Sequence, residues 1–307
     1  MNKSGFAILT TLVILSCAHK APPLFKDRVK PKLQKIQSLN NRQVQFVFSE
    51  DIDTLGLTPD WFTITSKEET LGIITIYPSL SASELVAVTE PQIKTEYDVT
   101  GWAFDTAQNK GTFSASFIGS TTPDTIAPRI VDYSKGHNQH DFKIAFSEAM
   151  DTSFLEYYII PKKNLTPVWL NLRVCRFTPE APSESLHYDT TYYLFIKNGV
   201  RDISGNTPLP FITSVTPDSI PPPFQLKAEV HLNDTIVKNG YALLKKPHIA
   251  GITFVKDGGF SFSVRDTGAY EVEVISGEYS GSARIRVDTT NIINLEHKKK
   301  NLDNIIN

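Results

Sequence analysis

The amino-acid sequence predicts an all-β protein of three consecutive modules, the first two being copies of one another. Three observations predict it. A seven-residue phrase recurs, FSEDIDT at 48 to 54 and FSEAMDT at 146 to 152. Apolar residues alternate with polar ones in runs of about five, the period of a half-buried strand. Short runs rich in Val, Ile, Thr, Phe and Tyr are punctuated by clusters of Gly, Pro, Asn and Asp. A chain of 307 residues has room for two or three domains of roughly 100–150 residues each. Its 40% hydrophobic and 21% charged residues belong to a folded chain and not a disordered one. A net charge of −2 offers no basic stripe, so no nucleic-acid partner is expected.

The N-terminus, MNKSGFAILTTLVILSCAHK, carries Lys3 and then an apolar run from Phe6 to Leu15. That run is well short of the ~20 residues of a membrane-spanning helix and reads as a secretion signal. Cys17 follows Ile14, Leu15 and Ser16 at its end. The arrangement resembles the lipobox of bacterial lipoproteins, with Leu15 larger than the Ala or Ser usual at its position. The resemblance implies a signal peptide over 1–16, palmitate and other acyl chains on Cys17, and a tether over 17–28. Each buried methylene of those chains would add about 0.8 kcal/mol of membrane affinity. Ala18, His19 and Lys20 include no aspartate and no acidic cluster, for which the periplasmic face of the outer membrane is the expected address.

Residues 29–120 and 126–214 run in parallel. Each copy opens on a proline followed by an apolar pair, VKPKLQKI (29 to 36) and IAPRIVDY (126 to 133). An alternating strand follows, Val44, Phe46 and Phe48 in the first copy and Phe142, Ile144 and Phe146 in the second, leading into the repeated phrase. Late in each copy comes a tyrosine-bearing strand, TEYDV or TTYYL, and then DTAQN (105 to 109) or DISGN (202 to 206). Start and end offsets agree within one residue, which marks a duplicated domain. Linkers over 121–128 and 215–222 contain TPDTIAP and TPDSIPP. Their prolines fix φ and bar the preceding residue from helix, so stiff joints and a rod-like chain are expected.

Each copy holds about seven short strands, among them FTIT, LGIITIY, ELVAV and TFSASFI in the first, the pattern of an Ig-like sandwich. With Cys17 acylated, Cys175 has no partner, and its place in the strand NLRVCRF makes it a small buried hydrophobe. The opening proline, FSE-x-[IM]-D, the tyrosine strand and the D-x-x-x-N turn together resemble the bacterial Ig-like domains first described in S-layer proteins. In that family the late turn carries Gly before Asn. Gly205 fits, whereas Gln108 stands there in the first copy, so a different turn is expected.

The third module, 223–288, contains KDGGFSFSV, GAYEVEVISGEYSG and SARIRVD. Gly258 and Gly259 supply a tight turn before Phe260, Phe262 and Val264, and the row of Glu271 and Glu273 faces Arg284 and Arg286 for cross-strand pairing. The order resembles the small transthyretin-like domain of the carboxypeptidase regulatory type, which implies a smaller C-terminal β-sandwich without catalysis of its own. The tail, 289–307, lacks a β pattern and reads as a frayed or weakly helical end.

Chemistry is sparse. Glu50, Asp53, Asp105 and Asn109, and likewise Glu148, Asp151, Asp202 and Asn206, could form an oxygen-rich calcium cage, since calcium takes six to eight hard oxygens. Alternatively Ser49 and Asp53 cap a short helical turn while Asp105 and Asp202 shape their own turns. Only three carboxylates per copy and no dense D-x-D-x-D run favour the corner over the cage. His137 and His140 lie in a polar turn, where a spacing of three does not share a helix face. Trp61, Trp102 and Trp169 are not equivalent between copies, which favours packing or a surface patch over a sugar platform. GxSxG, HExxH and a phosphate-cradling glycine loop are missing. The expected function is therefore a non-enzymatic, lipid-anchored envelope scaffold or adhesive protein. Its rivals are a carbohydrate- or protein-binding receptor subunit and an accessory chain of an envelope hydrolase.

Overall fold

The structure is a computed structural model that describes residues 27 to 306 except 68, 198 and 247. The signal peptide, Cys17 and nearly all of the tether lie outside the described residues. Strands are the main regular structure of the described residues, with two 3-10 turns, and the one α-helix among them, α1 (Asp303–Ile306), is a single turn. Among the described residues no helix is long and apolar enough to cross a membrane.

The first module has seven strands: β1 (Leu33–Asn40), β2 (Gln43–Phe48), β3 (Phe62–Thr65), β4 (Ile73–Pro78), β5 (Glu84–Thr89), β6 (Glu96–Phe104) and β7 (Lys110–Ile118). They form two sheets in the orders β1-β2-β5-β4 and β3-β6-β7. Four strands facing three in this order is the topology of a constant-type Ig sandwich. The alternation in β2 works as read, with Val44, Phe46 and Phe48 in the core. Phe46 meets Phe62 of the opposite sheet at 5.0 Å between ring centroids. At the start of β6 the Tyr97 hydroxyl accepts a hydrogen bond from the Ile93 N–H at 3.3 Å, a tyrosine corner.

The second module repeats this plan with β8 (Ile130–Tyr133), β9 (Gly136–His137), β10 (Phe142–Phe146), β11 (Tyr158–Ile160), β12 (Leu165–Asn171), β13 (Val174–Pro179), β14 (Tyr192–Ile196) and β15 (Phe211–Thr216). Its sheets run β12-β13-β10-β8 and β11-β14-β15-β9, so the opening strand is split and β9 crosses to pair in parallel with β15. Tyr192 repeats the corner, accepting from the His187 N–H at 3.3 Å. Cys175 lies in the core with Phe142 and Phe177, and burial pushes its thiol up to about 12, which leaves it unreactive.

The third module comprises β16 (Phe224–Leu232), β17 (Thr235–Ile236), β18 (Asn239–Lys245), β19 (Ile249–Lys256), β20 (Gly259–Val264), β21 (Ala269–Ser276), β22 (Tyr279–Arg286), β23 (Ile292–Asn294) and β24 (Glu296–His297). Pairing between β19 and β20 is confined to Lys256 and Gly259, so the ladder turns a corner there and folds over on itself. Glu271 stands opposite Arg284 as expected, but Glu273 faces Ser282 and is buried.

The tail departs from its expected fraying. Residues 292 to 294 pair in parallel with β16 while 296 and 297 pair antiparallel with β22, so one short segment joins the first long strand to the last. Ile293, Leu295 and Leu302 are buried in the core. The seat needs Gly281, where a Cβ would stand 2.3 Å from the Asn294 carbonyl oxygen. Sequence periodicity could not find segments this short, because three residues against one partner and two against the other do not complete a repeat.

The modules are clamped to one another, not merely strung on stiff linkers. Two strands are buried on both faces, β5 and β14. In β5, Leu85 and Ala87 face the first core while Val86 and Val88 meet Ala149 and Leu172 of the second module. In β14, Tyr192, Leu194 and Ile196 face their own core. The alternate residues Tyr193 and Phe195 enter the core of the third module, where they meet Phe262 at 6.1 Å and Tyr241 at 5.5 Å. The buried Arg173 ties the first junction: its Nε donates to the Phe146 carbonyl of its own module at 2.9 Å, and a terminal nitrogen donates across to the Pro78 carbonyl at 2.6 Å.

Candidate functional site

Each repeated phrase closes one end of its sandwich. Ser49 pairs with Lys32 through N–H to carbonyl at 2.9 Å, and its hydroxyl accepts the Lys32 N–H at 3.0 Å. Ser147 does the same with Arg129 at 2.7 and 3.0 Å. The serine thus locks the opening strand and caps no helical turn: the 3-10 turn that follows in the first copy, Pro59–Trp61, starts at Thr58 and has no side-chain cap. Ile52 and Met150 then bridge to Asp105 and Asp202, bringing the phrase against the late turn.

The late turn is the same in both copies, contrary to the expectation from Gln108. Asp105 N–H to Asn109 carbonyl measures 3.2 Å and Asp202 to Asn206 2.9 Å, and Gln108 takes φ +67° where Gly205 takes +93°. A side chain in the left-handed region costs roughly 1–2 kcal/mol, partly offset here because Gln108 Nε2 donates to Asp53 Oδ2. Gln108→Gly is therefore expected to stabilise the first module by about 0.5–1 kcal/mol, read as a raised urea midpoint with unchanged slope.

Two three-carboxylate clusters result, Asp27 with Glu50 and Asp105, and Asp124 with Glu148 and Asp202, each with carboxylate oxygens within 4.8 Å of one another. Asp27 and Asp124, from the segments entering each module, were not among the expected ligands. Asp53 and Asp151, which were, stay outside. Asp53 accepts the Leu55 N–H at 2.9 Å, and Asp151 accepts from Ser153 and from Arg201 Nε at 3.0 Å. Asn109 and Asn206 turn their amide nitrogens inward and donate to Asp105 at 2.7 Å and Asp202 at 2.9 Å, so they present no oxygen to a cation there. Their N–H groups bond the other oxygens of the same aspartates at 2.7 and 2.8 Å. Both buried aspartates are thus engaged on both oxygens by their own turn.

The electrostatics follow from this asymmetry. Burial works to raise Asp105, but hydrogen bonds from Asn109 and the Ala107 N–H outweigh it and hold the carboxyl below its ordinary range. Burial, then Asp105 and Asp27, push Glu50 up, and its Oε1 is buried without a hydrogen-bond partner. Burial, then Asp124 and Asp202, push Glu148 up to about 7. A carboxyl whose folded value is raised favours the folded state when protonated, so its penalty is full above pH 7 and is relieved as pH falls toward the ordinary range. The melting temperature is expected to rise between pH 8 and pH 5 through this group, and Glu148→Gln to flatten that part of the profile.

The remaining candidates lie apart from these clusters. His137 is exposed on β9, and His140 packs edge-on against Tyr188 at 5.7 Å. Trp169 stacks on Phe146 at 5.9 Å and belongs to the second core. Trp61 and Trp102 lie on the first module with Phe104 and Lys110. The Trp61 and Phe104 rings are 5.4 Å apart, and Lys110 Nζ sits 4.4 Å from the Trp102 centroid.

No family model matches the chain, and no curated protein matches it. Solved structures do. The N-terminal part of the bacterial S-layer protein SbsC is similar over 61% of this chain and 44% of that one, at 14% identity and a TM-score of 0.29. The S-layer protein rSbsC(31-844) is similar over 86% and 41%, at 13% identity and 0.31. Native alpha-2-macroglobulin from Escherichia coli, domains MG0-NIE-MG1, is similar over 83% and 96%, at 10% identity and 0.26. The chain spans less than half the length of the S-layer structures it matches. Its all-β fold stands on the strand order of its sheets and the two tyrosine corners, independently of these likenesses.

Proposed function

We propose that the chain is a non-catalytic, lipid-anchored protein of the cell envelope, a stiff arm of Ig-like and smaller β-modules that holds an interaction surface away from the membrane. The observation that carries the reading is the double burial of β5 and β14, which makes each junction a packed apolar interface. Relative domain motion is the default for linked modules unless the interface between them is large and hydrophobic. Such clamping suits a spacer. Four of the buried groups that could have done chemistry are occupied, Asp105 and Asp202 by their turns, Glu273 by two lysines and Cys175 by its core, and Glu50 keeps one buried oxygen without a hydrogen-bond partner.

The anchor is tested by labelling cells with radioactive palmitate. Label on the wild type and none on Cys17→Ala, with release of the variant from the membrane fraction, is the expected result, and label that survives the substitution sinks it. The calcium expectation is tested at the two carboxylate clusters. With both aspartates saturated by their asparagines, a titration with calcium is expected to give no heat and no rise in melting temperature. Saturable heat with a higher melting temperature would assign the two clusters to a cation, since a ligand of the native state must stabilise it.

A further inference from the structure

The duplication allows one face of the fold to be compared with itself. In the second module the outer face of the β11-β14-β15 sheet carries Ile160, Tyr193, Phe195 and Ile212, and the third module covers it. The corresponding sheet of the first module, β3-β6-β7, turns an uncovered outer face to solvent. Thr63, Asp98, Thr100, Thr112, Ser114 and Ser116 along it are all exposed. At one end of this hydroxyl-rich surface stand the half-buried rings of Trp61, Trp102 and Phe104, with Lys110 Nζ 4.4 Å from the Trp102 centroid and 5.8 Å from that of Phe104.

We infer that this face of the first module is a binding surface for a polysaccharide of pyranose units. The covered face shows what a protein-docking version of this sheet looks like, apolar across the sheet. The open one has a different chemistry: hydroxyls and the two carboxylates of Glu96 and Asp98 to exchange hydrogen bonds with sugar hydroxyls, beside aromatic rings against which the C–H face of a pyranose can lie. Trp102 and Phe104 are two residues apart on one strand, about 7 Å, and therefore on the same side of the sheet. Trp61, the last residue of the 3-10 turn before β3, packs against Phe104 and against the first core, which fixes that ring's orientation. Lys110 holds its ammonium over the indole in the ligand-free chain, on a flexible stem that can swing to a sugar hydroxyl or carboxylate. Rings that are already ordered give up little side-chain freedom on binding, which favours a rigid platform.

The inference rests on the interaction-surface part of the proposed function, and its test is separable from the anchor test because it needs no membrane. The full chain is run by affinity electrophoresis through gels containing hydroxyethyl cellulose, a neutral glucan, or polygalacturonate, a uronic polymer. Retardation is expected in at least one gel, with the apparent association constant at least tenfold lower for Trp102→Ala and for Trp61→Ala, and unchanged for Trp169→Ala in the other module. Thr112→Glu adds charge beside Trp102 without touching the core, and it is expected to abolish retardation in a chain of unchanged melting temperature. A selective loss of polygalacturonate binding in Lys110→Ala identifies the sugar as acidic, and equal loss in both gels identifies it as neutral. Wild type that passes both gels unretarded, or retardation that survives the Trp61, Trp102 and Thr112 changes, overturns the inference.

Discussion

A chain ended at Thr290 is expected to lose the folded third module while the first two stay intact. The truncation removes β23 and β24, which pair with β16 and β22. It also takes away the buried side chains of Ile293, Leu295 and Leu302, at 1%, 4% and 6% exposure. Burying an aliphatic side chain contributes about 1.5–3 kcal/mol, so the three together supply about 5–9 kcal/mol. Whole domains are stable by only about 5–15 kcal/mol. The truncation also removes a tie to the second module, where the Lys197 ammonium holds both carboxylate oxygens of Asp303 at 2.7 Å. Limited trypsin digestion should cut the truncated chain throughout 223 to 290 and leave the first two sandwiches, and a synthetic peptide of residues 291 to 306 should restore protection. Unchanged protection without the peptide would show that the closing segment is dispensable.

The second large effect concerns Glu273, buried at 2% exposure and paired with Lys245 at 2.7 Å and with Lys300 of the closing segment. Replacing both lysines by Met strands a carboxylate in the core, and breaking a buried pair from one side costs about 3–5 kcal/mol. Glu273→Gln should cost less, about 1–2 kcal/mol, because the two ammoniums are 26% and 33% exposed and can turn to water. Burial works to raise the Glu273 carboxyl, but the two lysines outweigh it and hold it below its ordinary range. Its stabilisation is therefore present above the ordinary glutamate range and is lost as pH falls through the lowered folded value. In the double lysine variant the sign should reverse, mild acid stabilising the chain by neutralising the stranded group. Equal urea midpoints for Glu273→Gln and the lysine pair would refute this account.

The repeats made the register of the fold legible, because two copies of the same strand-phrase-turn order leave little freedom in aligning their elements. The junctions were also written in the sequence, though not as motifs: YYLFI and ELVAV are continuous apolar runs where EYDVT alternates, and a strand without alternation needs cover on both faces. The acidic clusters were half legible. Glu50 and Asp105 could be paired through the repeat, but Asp27 and Asp124 lay in segments read as spacer, whose charge looks solvated until the chain is seen to bend back over its own module. The signal was present, since an aspartate stands four residues before the opening proline in both copies. Gln108 misled because residue preference was weighed above the hydrogen bonds of Asp105 and Asn109, which force the turn whatever stands before the asparagine.

The segment that closes the third module comes after all the other strands of that module. A chain made from its N-terminus can complete the first sandwich once β7 has emerged and the second once β15 has. The third must wait, with β16 unpaired along one edge, until residues some sixty positions downstream arrive. An open strand edge invites the wrong neighbour for as long as it stays open. The finished first and second modules stand beside it during that interval, and Tyr193 and Phe195 offer the emerging strands an apolar template on which to wait for their last partner.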